Sequence, residues 1–271
     1  MSYFQAALLS LVQALSEFLP ISSSGHLVLL PRLLGWQDQG LLFDEALNTG
    51  TLLAVLAYFR HDLIALLRDG WASLWGRRFV GQGQLAWQLV AATVPVAVAG
   101  LLIHPWVAAA GRKPALVATN LIVYGVVLAV ADRLGRRNRD LGSLRWVDAL
   151  AIGAAQALSL VPGTSRSGIT MTLALFLGFE RAAAARFSFL LAVPVGLLVA
   201  AHDGLEIAKG HLQGVAPGPL VAAVLLTAAA GYVVIGGLLS WLRRQSFLPF
   251  SIYRVALGGL ILGLVVSGWL G

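Results

Sequence analysis

The 271-residue chain contains no cysteine. That excludes disulfides, thiolate nucleophiles and cysteine-ligated metals together. Charge is scarce as well. Asp, Glu, Lys and Arg make up 11% of the residues, against about a quarter in soluble domains, while 58% are hydrophobic. Mean hydropathy is +0.83. These values predict a polytopic membrane protein. Acidic residues are the scarcer sign, 12 against 19 basic ones. In a membrane chain such an excess sits in loops and sets orientation. No basic run is interleaved with aromatics, so nucleic acid is not an expected partner. No Lys or Arg precedes Arg32 and no small-residue cleavage site follows the first apolar run. A removable signal peptide is therefore not expected.

What is present is apolar runs. A full span needs about 20 mostly apolar residues. Six stretches qualify: 43–59, 85–104, 114–131, 186–201, 218–240 and 251–269. The first is the weakest, because it holds Asp44, Glu45 and Asn48. Two more apolar regions, 4–34 and 147–179, are split by PISSSG at 20–25 and PGTSRSG at 162–168. Proline and glycine stop helices, so each region reads as two half-helices joined by a loop. Irregular backbone at membrane depth survives only when buried in protein or lining a wet cavity. The expected fold is an all-α integral membrane protein, with six transmembrane helices plus two re-entrant broken helix pairs.

If each broken region returns to its own side, the loops opposite Met1 carry 14 of the 19 Lys and Arg, Arg254 among them. Arg32, Arg112, Lys113 and Lys209 face the side of Met1, and Arg166 lies within a broken loop. The positive-inside rule then puts both termini outside the cytoplasm. The linkers at 60–84, 132–146 and 202–217 read as solvated connections. His61, His104, His202 and His211 sit near span ends, and the eight Trp read as an interfacial belt.

The broken regions also resemble each other. QALSEFLPISSSGH starts at Gln13 and QALSLVPGTSRSGI at Gln156, with Ser22 over Ser165, Ser24 over Ser167 and Gly25 over Gly168. The first repeat is 1–131, with pair 4–34 and three spans. The second is 147–271, with pair 147–179 and three spans, and 132–146 is a cytoplasmic linker. An odd number of spans inverts the second copy. Inverted-topology repeats with broken helices place a site at the repeat interface, near the midplane.

In both loops the polar cluster precedes a new half-helix. Helix N-termini offer unpaired N–H groups and partial positive charge, and phosphate is a natural guest. Glycines such as Gly163 and Gly168 let the backbone approach phosphate oxygens. Arg166 at membrane depth must face protein or water, and its fork matches phosphate. A salt bridge to Glu17 or Asp148 is the alternative, and the two readings can coexist. Glu17, with Gln13 one turn earlier on the same face, is a general base, a ligand for a divalent ion, or a partner for a loop N–H. His26 is a nucleophile, a general acid, or a hydrogen-bonded core residue. Ser22, Ser23, Ser24, Ser165 and Thr170 are hydroxyls for phosphate oxygens, one of which could attack phosphorus. For Ser24 and Ser167 helix capping is the preferred role.

EFLPISSSGH together with PGTSRSGIT resembles the bacterial undecaprenyl-diphosphate phosphatases, the bacitracin-resistance proteins. FSFLLAVP at 187–194 and SFLPFSIYR at 246–254 extend the likeness over nearly the whole chain. The resemblance implies hydrolysis of undecaprenyl diphosphate to the monophosphate that carries cell-wall precursors. It implies Mg²⁺ or Ca²⁺ as cofactor, a bacterial inner-membrane location and a site open to the periplasm. Bacitracin would compete for the same substrate, and a homodimer is left open. The resemblance makes Glu17, Ser23, His26 and Arg166 catalytic, with Glu17 the metal ligand. The diphosphate is expected at Gln13, Ser22, Ser24, Ser165 and Thr170, and at Gly163 and Gly168, whose turns let the backbone approach it. Position 13 departs from members that carry Glu there, which puts a two-carboxylate metal site in doubt. The rival reading is a transporter or flippase of a phosphate-bearing polyprenyl lipid. It needs chiefly Arg166 and the helix dipoles, so Glu17 and His26 favour hydrolysis.

Overall fold

The computed structural model describes residues 2–110, 113–208 and 217–269. The order is α1 Tyr3–Phe18, α2 Ser23–Leu33, α3 Leu41–Tyr58, α4 Arg60–Gly76, α5 Gly83–Ala110, α6 Pro114–Leu134, α7 Trp146–Gln156, α8 Arg166–Phe176, α9 Arg181–Ala208, α10 Pro217–Leu242 and α11 Leu248–Val266. Among the described residues the only strand-like feature is an isolated bridge between Arg139 and Phe179. Arg112, Lys209 and His211 lie outside the described residues, as does the side chain of His104.

The protein is an all-helical, multi-pass membrane protein. Five helices are long and apolar enough to cross a membrane: α5 over Gly83–Leu102, α6, α9 over Arg181–His202, α10 and α11. α3 with α4, bent by 78°, brings the number to six. Both Pro/Gly/Ser clusters break the chain where expected, between α1 and α2 and between α7 and α8. Proline starts helices as well as stopping them: it stands in the first turn of α6 and of α11, where a missing N–H costs nothing. Where the helices pack, small residues let backbones approach, as in other membrane bundles. At Gly153 of α7 a Cβ would fall 2.2 Å from the Ala92 carbonyl oxygen of α5.

Three expectations change. The stretch 60–84 is not a solvated connection, because most of it is α4. Its arginines suggest a loop, while apolar residues at helical spacing between them shape the fold. α6 and α9 both run past their predicted ends and carry charge with them. Asp132 of α6 is buried and binds Arg181 of α9 through both oxygens, at 2.5 and 3.1 Å. It also accepts the Phe247 N–H at 3.1 Å, so one carboxylate ties α6, α9 and the start of α11. Finally, Arg254 is not a loop cation. It lies inside α11, fully buried, which leaves thirteen of the fourteen cations, some of them on helix ends and on α4, to mark the side opposite Met1.

Asp132→Ala is expected to lower stability by about 3 kcal/mol, near the lower end for breaking a buried pair because Arg181 keeps some water contact. A thermal-unfolding scan in detergent checks it; an unchanged midpoint would rule out the tie.

Candidate functional site

The site grows from the two breaks. α1 ends as Leu19 turns extended, and Pro20 has no N–H to continue it. Ser22 then stands at the N-cap of α2 with φ +73° and no side-chain cap bond, and Ser165 caps α8 with φ +73°, whereas Ser24 and Ser167, expected as caps, lie inside the first turns. A non-glycine residue in that region costs about 1–3 kcal/mol and persists only where the surroundings hold it. The two serines align in the repeat, and their hydroxyl neighbours do too. Ser22 Oγ lies 3.2 Å from Ser24 Oγ, and Ser165 Oγ lies 3.2 Å from Ser167 Oγ.

The loops are tied to each other. Ser167 Oγ donates to the Glu17 carbonyl at 3.0 Å, and the Gly163 N–H donates to Ser24 Oγ at 3.4 Å. Arg254 holds both from behind. Nη1 donates to the Pro20 carbonyl at 3.1 Å, and Nη2 to those of Gly163 and Thr164, each at 2.8 Å. Nε and Nη2 also reach the carbonyls of Leu121 and Asn120 in α6. This buried cation thus spends its donors on backbone carbonyls, three of them in the turns just before the half-helices. A trans peptide points its N–H opposite its C=O, so gripping the Thr164 carbonyl turns the Ser165 N–H away from Arg254.

In front of the loops lies a cavity of about 310 Å³ between α3 and α9. One end is polar, with Glu17, Ser22, Ser23, Ser24, Ser165 and Arg166. α3 and α9 add the apolar Leu52, Val55, Val195 and Val199, together with the polar Glu45 and Asn48. Glu17 sits at the centre of the polar end. Its Oε2 accepts from Ser23 Oγ at 2.6 Å and its Oε1 from Arg166 Nη2 at 3.0 Å. Of the two partners foreseen for Arg166, the fold selects Glu17. Asp148 is taken at the far end of α7 by Arg139 and Arg145.

Five expected site residues do not line this cavity. Gln13 is fully buried, with Nε2 donating to Asn48 Oδ1 at 2.9 Å. Thr170 faces α9, bonded to Ser188 Oγ at 2.7 Å and back to the Arg166 carbonyl at 2.8 Å. Gly163 lends its N–H to Ser24, and Gly168 lends its own to Ser165 Oγ. At Gly168 a Cβ would fall 2.7 Å from Arg254 Nη1, so the residue is small to admit the arginine. His26 turns toward α11. Its Nδ1 donates to the Ser22 carbonyl at 2.8 Å, since a carbonyl can only accept. Nε2 lies 2.7 Å from the Tyr253 hydroxyl, and the two rings stack within 4° of parallel. His26 therefore braces α2 on α11 instead of facing Glu17.

Two features escape sequence reasoning. Arg254 counts there with the loops, although it falls within the predicted span 251–269. Glu45 and Asn48 of α3 line the cavity, with Asn48 Nδ2 donating to Glu45 Oε2 at 3.3 Å. By hydropathy their polarity only weakens the span. It is in fact the signal of a lined cavity.

The Ser23–Glu17–Arg166 line supplies a hydroxyl, a base able to take its proton and a cation for a negatively charged group. The chain matches the family model described as bacitracin resistance protein BacA over residues 6–260. It is 49% identical to an undecaprenyl-diphosphatase of Magnetococcus marinus, over 96% of this chain and 98% of that one. It is 46% identical to another of Marinobacter nauticus, with the same coverage. It is 45% identical to undecaprenyl-diphosphatase 2 of Stutzerimonas stutzeri, over 97% of this chain and 98% of that one.

Proposed function

The chain belongs to the bacitracin resistance protein family, and from that membership we infer that it is an undecaprenyl-diphosphatase, hydrolysing the lipid diphosphate to the monophosphate and inorganic phosphate. The observation that carries the mechanism is the Glu17 carboxylate bridging the Ser23 hydroxyl and the Arg166 guanidinium. The diphosphate enters the polar end of the cavity and the polyprenyl tail follows the apolar wall between α3 and α9. Arg166 turns from Glu17 to the terminal phosphoryl group, which leaves the carboxylate free as a base. Ser23 Oγ attacks the terminal phosphorus while its proton passes to Glu17. An Oγ–P bond forms, the P–O bond to the bridging oxygen breaks, and undecaprenyl phosphate departs. Glu17 hands that proton to the departing undecaprenyl phosphate, then takes one from the water that attacks the phosphoserine phosphorus; as the Oγ–P bond breaks, Glu17 returns the proton to Ser23 Oγ and phosphate leaves. Arg166 and the α2 and α8 N-termini offset the charge that develops on the phosphoryl oxygens.

A divalent cation fits the donors. The cavity holds oxygen donors from Glu17, Glu45 and Asn48, and the buried Gln13 Oε1 has no partner among the described residues. No three His, Asp or Glu gather into a cage among the described residues. Mg²⁺ does not need one, since it binds through one or two carboxylates together with substrate phosphates. Glu17 and Glu45 would hold it, and it would neutralise phosphate charge. Chelation with EDTA is expected to slow phosphate release by about tenfold or more, with recovery on adding Mg²⁺ or Ca²⁺. Full activity in EDTA would remove the metal from this reading.

The cavity-lining residues of α9 run from mid-helix toward its end on the side of Met1, and those of α3 span the helix from Val55 to Glu45 near the same side. With the arginine-rich loops in the cytoplasm, this supports an inner-membrane enzyme with periplasmic termini and a periplasmic opening. Bacitracin would compete there for the same lipid. A pure carrier has no use for the short Ser23–Glu17 hydrogen bond, which is why hydrolysis is the reading adopted.

The nucleophile is tested with substrate labelled in the terminal phosphate. Wild type, quenched in acid during turnover, is expected to retain label on Ser23, and Ser23→Ala to lose both label and turnover. A Ser23→Ala variant that keeps the wild-type rate would assign the attack to water.

A further inference from the structure

α4 is built inside out for a helix in water. The face packed against the protein is mostly small or polar: Leu66, Asp69, Gly70 and Ser73 are its buried residues. The opposite face carries Ile64, Leu67, Trp71, Leu74 and Trp75, between 51% and 76% exposed. Their spacing of three and four residues makes one stripe along the helix. The inward face is fully used. Asp69 accepts the Gln82 N–H at 3.0 Å, Ser73 donates to the Asp69 carbonyl at 2.6 Å and accepts from Val80, and Trp87 Nε1 donates to the Gly70 carbonyl at 3.1 Å. α4 is thus pinned to the turn before α5 in one rotation, with its apolar stripe turned outward.

Two further observations say what covers that stripe. α3 has 18 residues, about 27 Å at the helical rise, and nearly crosses a bilayer alone. The 78° bend after it lays α4 close to the membrane plane. The helix also carries an excess of positive charge at the water edge, with Asp62 paired to Arg186 and Asp69 to the Nε of Arg68, whose side chain stays 77% exposed. Arg60, Arg68, Arg77 and Arg78 are all exposed. A helix with an apolar face bearing tryptophan and arginines beside it lies in the boundary between acyl chains and headgroups. Arginines there reach outward along their apolar stems to phosphate.

We propose that α4 is an in-plane helix seated in the leaflet of the arginine-rich side, where Arg68, Arg77 and Arg78 gather anionic phospholipids around the enzyme. The binding surface is separate from the diphosphate cavity. It makes the local lipid composition, and not only substrate supply, a determinant of how the protein sits.

The test uses the full chain in nanodiscs, and the missing cysteines help. A spin label on Leu67→Cys or Leu74→Cys is unique. Both labels are expected to collide freely with oxygen and to be shielded from a water-soluble nickel chelate. Free access of the chelate would make α4 a solvated connection. Protection from both, with dipolar broadening between labels, would mean that a second copy covers the stripe. Either result overturns the proposal. In a second arm, spin-labelled phosphatidylglycerol and phosphatidylcholine compete for contact with the wild type. Phosphatidylglycerol is expected to be favoured about fivefold, the factor that about 1 kcal/mol of attraction supplies. Arg68→Gln with Arg77→Gln and Arg78→Gln should bring the two lipids near parity while phosphate release is retained. No preference in the wild type, or a preference that survives the triple change, overturns the anionic assignment.

Discussion

Arg166→Ala is expected to reduce kcat for phosphate release by about a thousandfold, within the range by which an arginine acts on a phosphoryl-transfer transition state. Two effects combine. The phosphoryl oxygens lose a guanidinium at the moment their charge grows. Glu17, whose Oε1 accepts from Arg166 at 3.0 Å, loses the partner that fixes its orientation toward Ser23. Arg166→Lys is expected to recover only a small part, because an ammonium is a point charge and cannot hold two oxygens in a plane. Glu17→Gln separates the effects. It keeps a hydrogen-bond acceptor for Ser23 but removes the base, so kcat should fall with little change in KM. Steady-state kinetics in detergent, on variants whose thermal midpoints match the wild type, read the outcome. An Arg166→Ala enzyme within tenfold of wild type would remove the arginine from the chemistry.

The second large effect belongs to a residue that touches no substrate. Arg254→Met keeps much of the volume and removes the donors that make five hydrogen bonds to backbone carbonyls. Each buried acceptor left without a partner costs about 1–3 kcal/mol, and some will find water. A loss of at least about 3 kcal/mol is expected. The strained turns at Ser22 and Ser165 should relax as well, since the Pro20, Gly163 and Thr164 carbonyls are then unheld. At a temperature where the variant is still folded, kcat should fall by about a hundredfold, the penalty for misplacing reacting groups by about 1 Å. Arg254→Lys keeps the charge with fewer, differently aimed donors and should lie between the two. A normal midpoint and normal kcat for Arg254→Met would show that the turns hold themselves.

Tyr253 and Arg254 divide α11 between two jobs, one bracing His26 and the other the loops. In the sequence, His26 reads as nucleophile or acid because of its place after SSSG. That place is also what lets its Nδ1 reach the Ser22 carbonyl one turn back. Thr170 shows the same ambiguity. It stands one turn after Arg166, where a hydroxyl can face a ligand or fold back on the helix, and the packing of α9 settles it toward Ser188.

Much is legible in the amino-acid order alone. The membrane class, both helix breaks and the long spans follow from composition and from proline and glycine, and the cost of burying charge names Glu17 as one of two partners for Arg166. Those are local or statistical quantities, and a sequence carries them directly. Tertiary structure alone decided what depends on distant partners. It took Arg254 out of the loops and put it behind both turns, and it brought Glu45 and Asn48 of α3 to the cavity. It took Asp132 out of the predicted linker and gave it to Arg181, and turned α4 with its polar face inward. A buried charge declares in the sequence only that it must find a partner. Which partner it finds is set by helices that meet more than a hundred residues apart along the chain, as Arg254 and Pro20 do, 234 positions from each other.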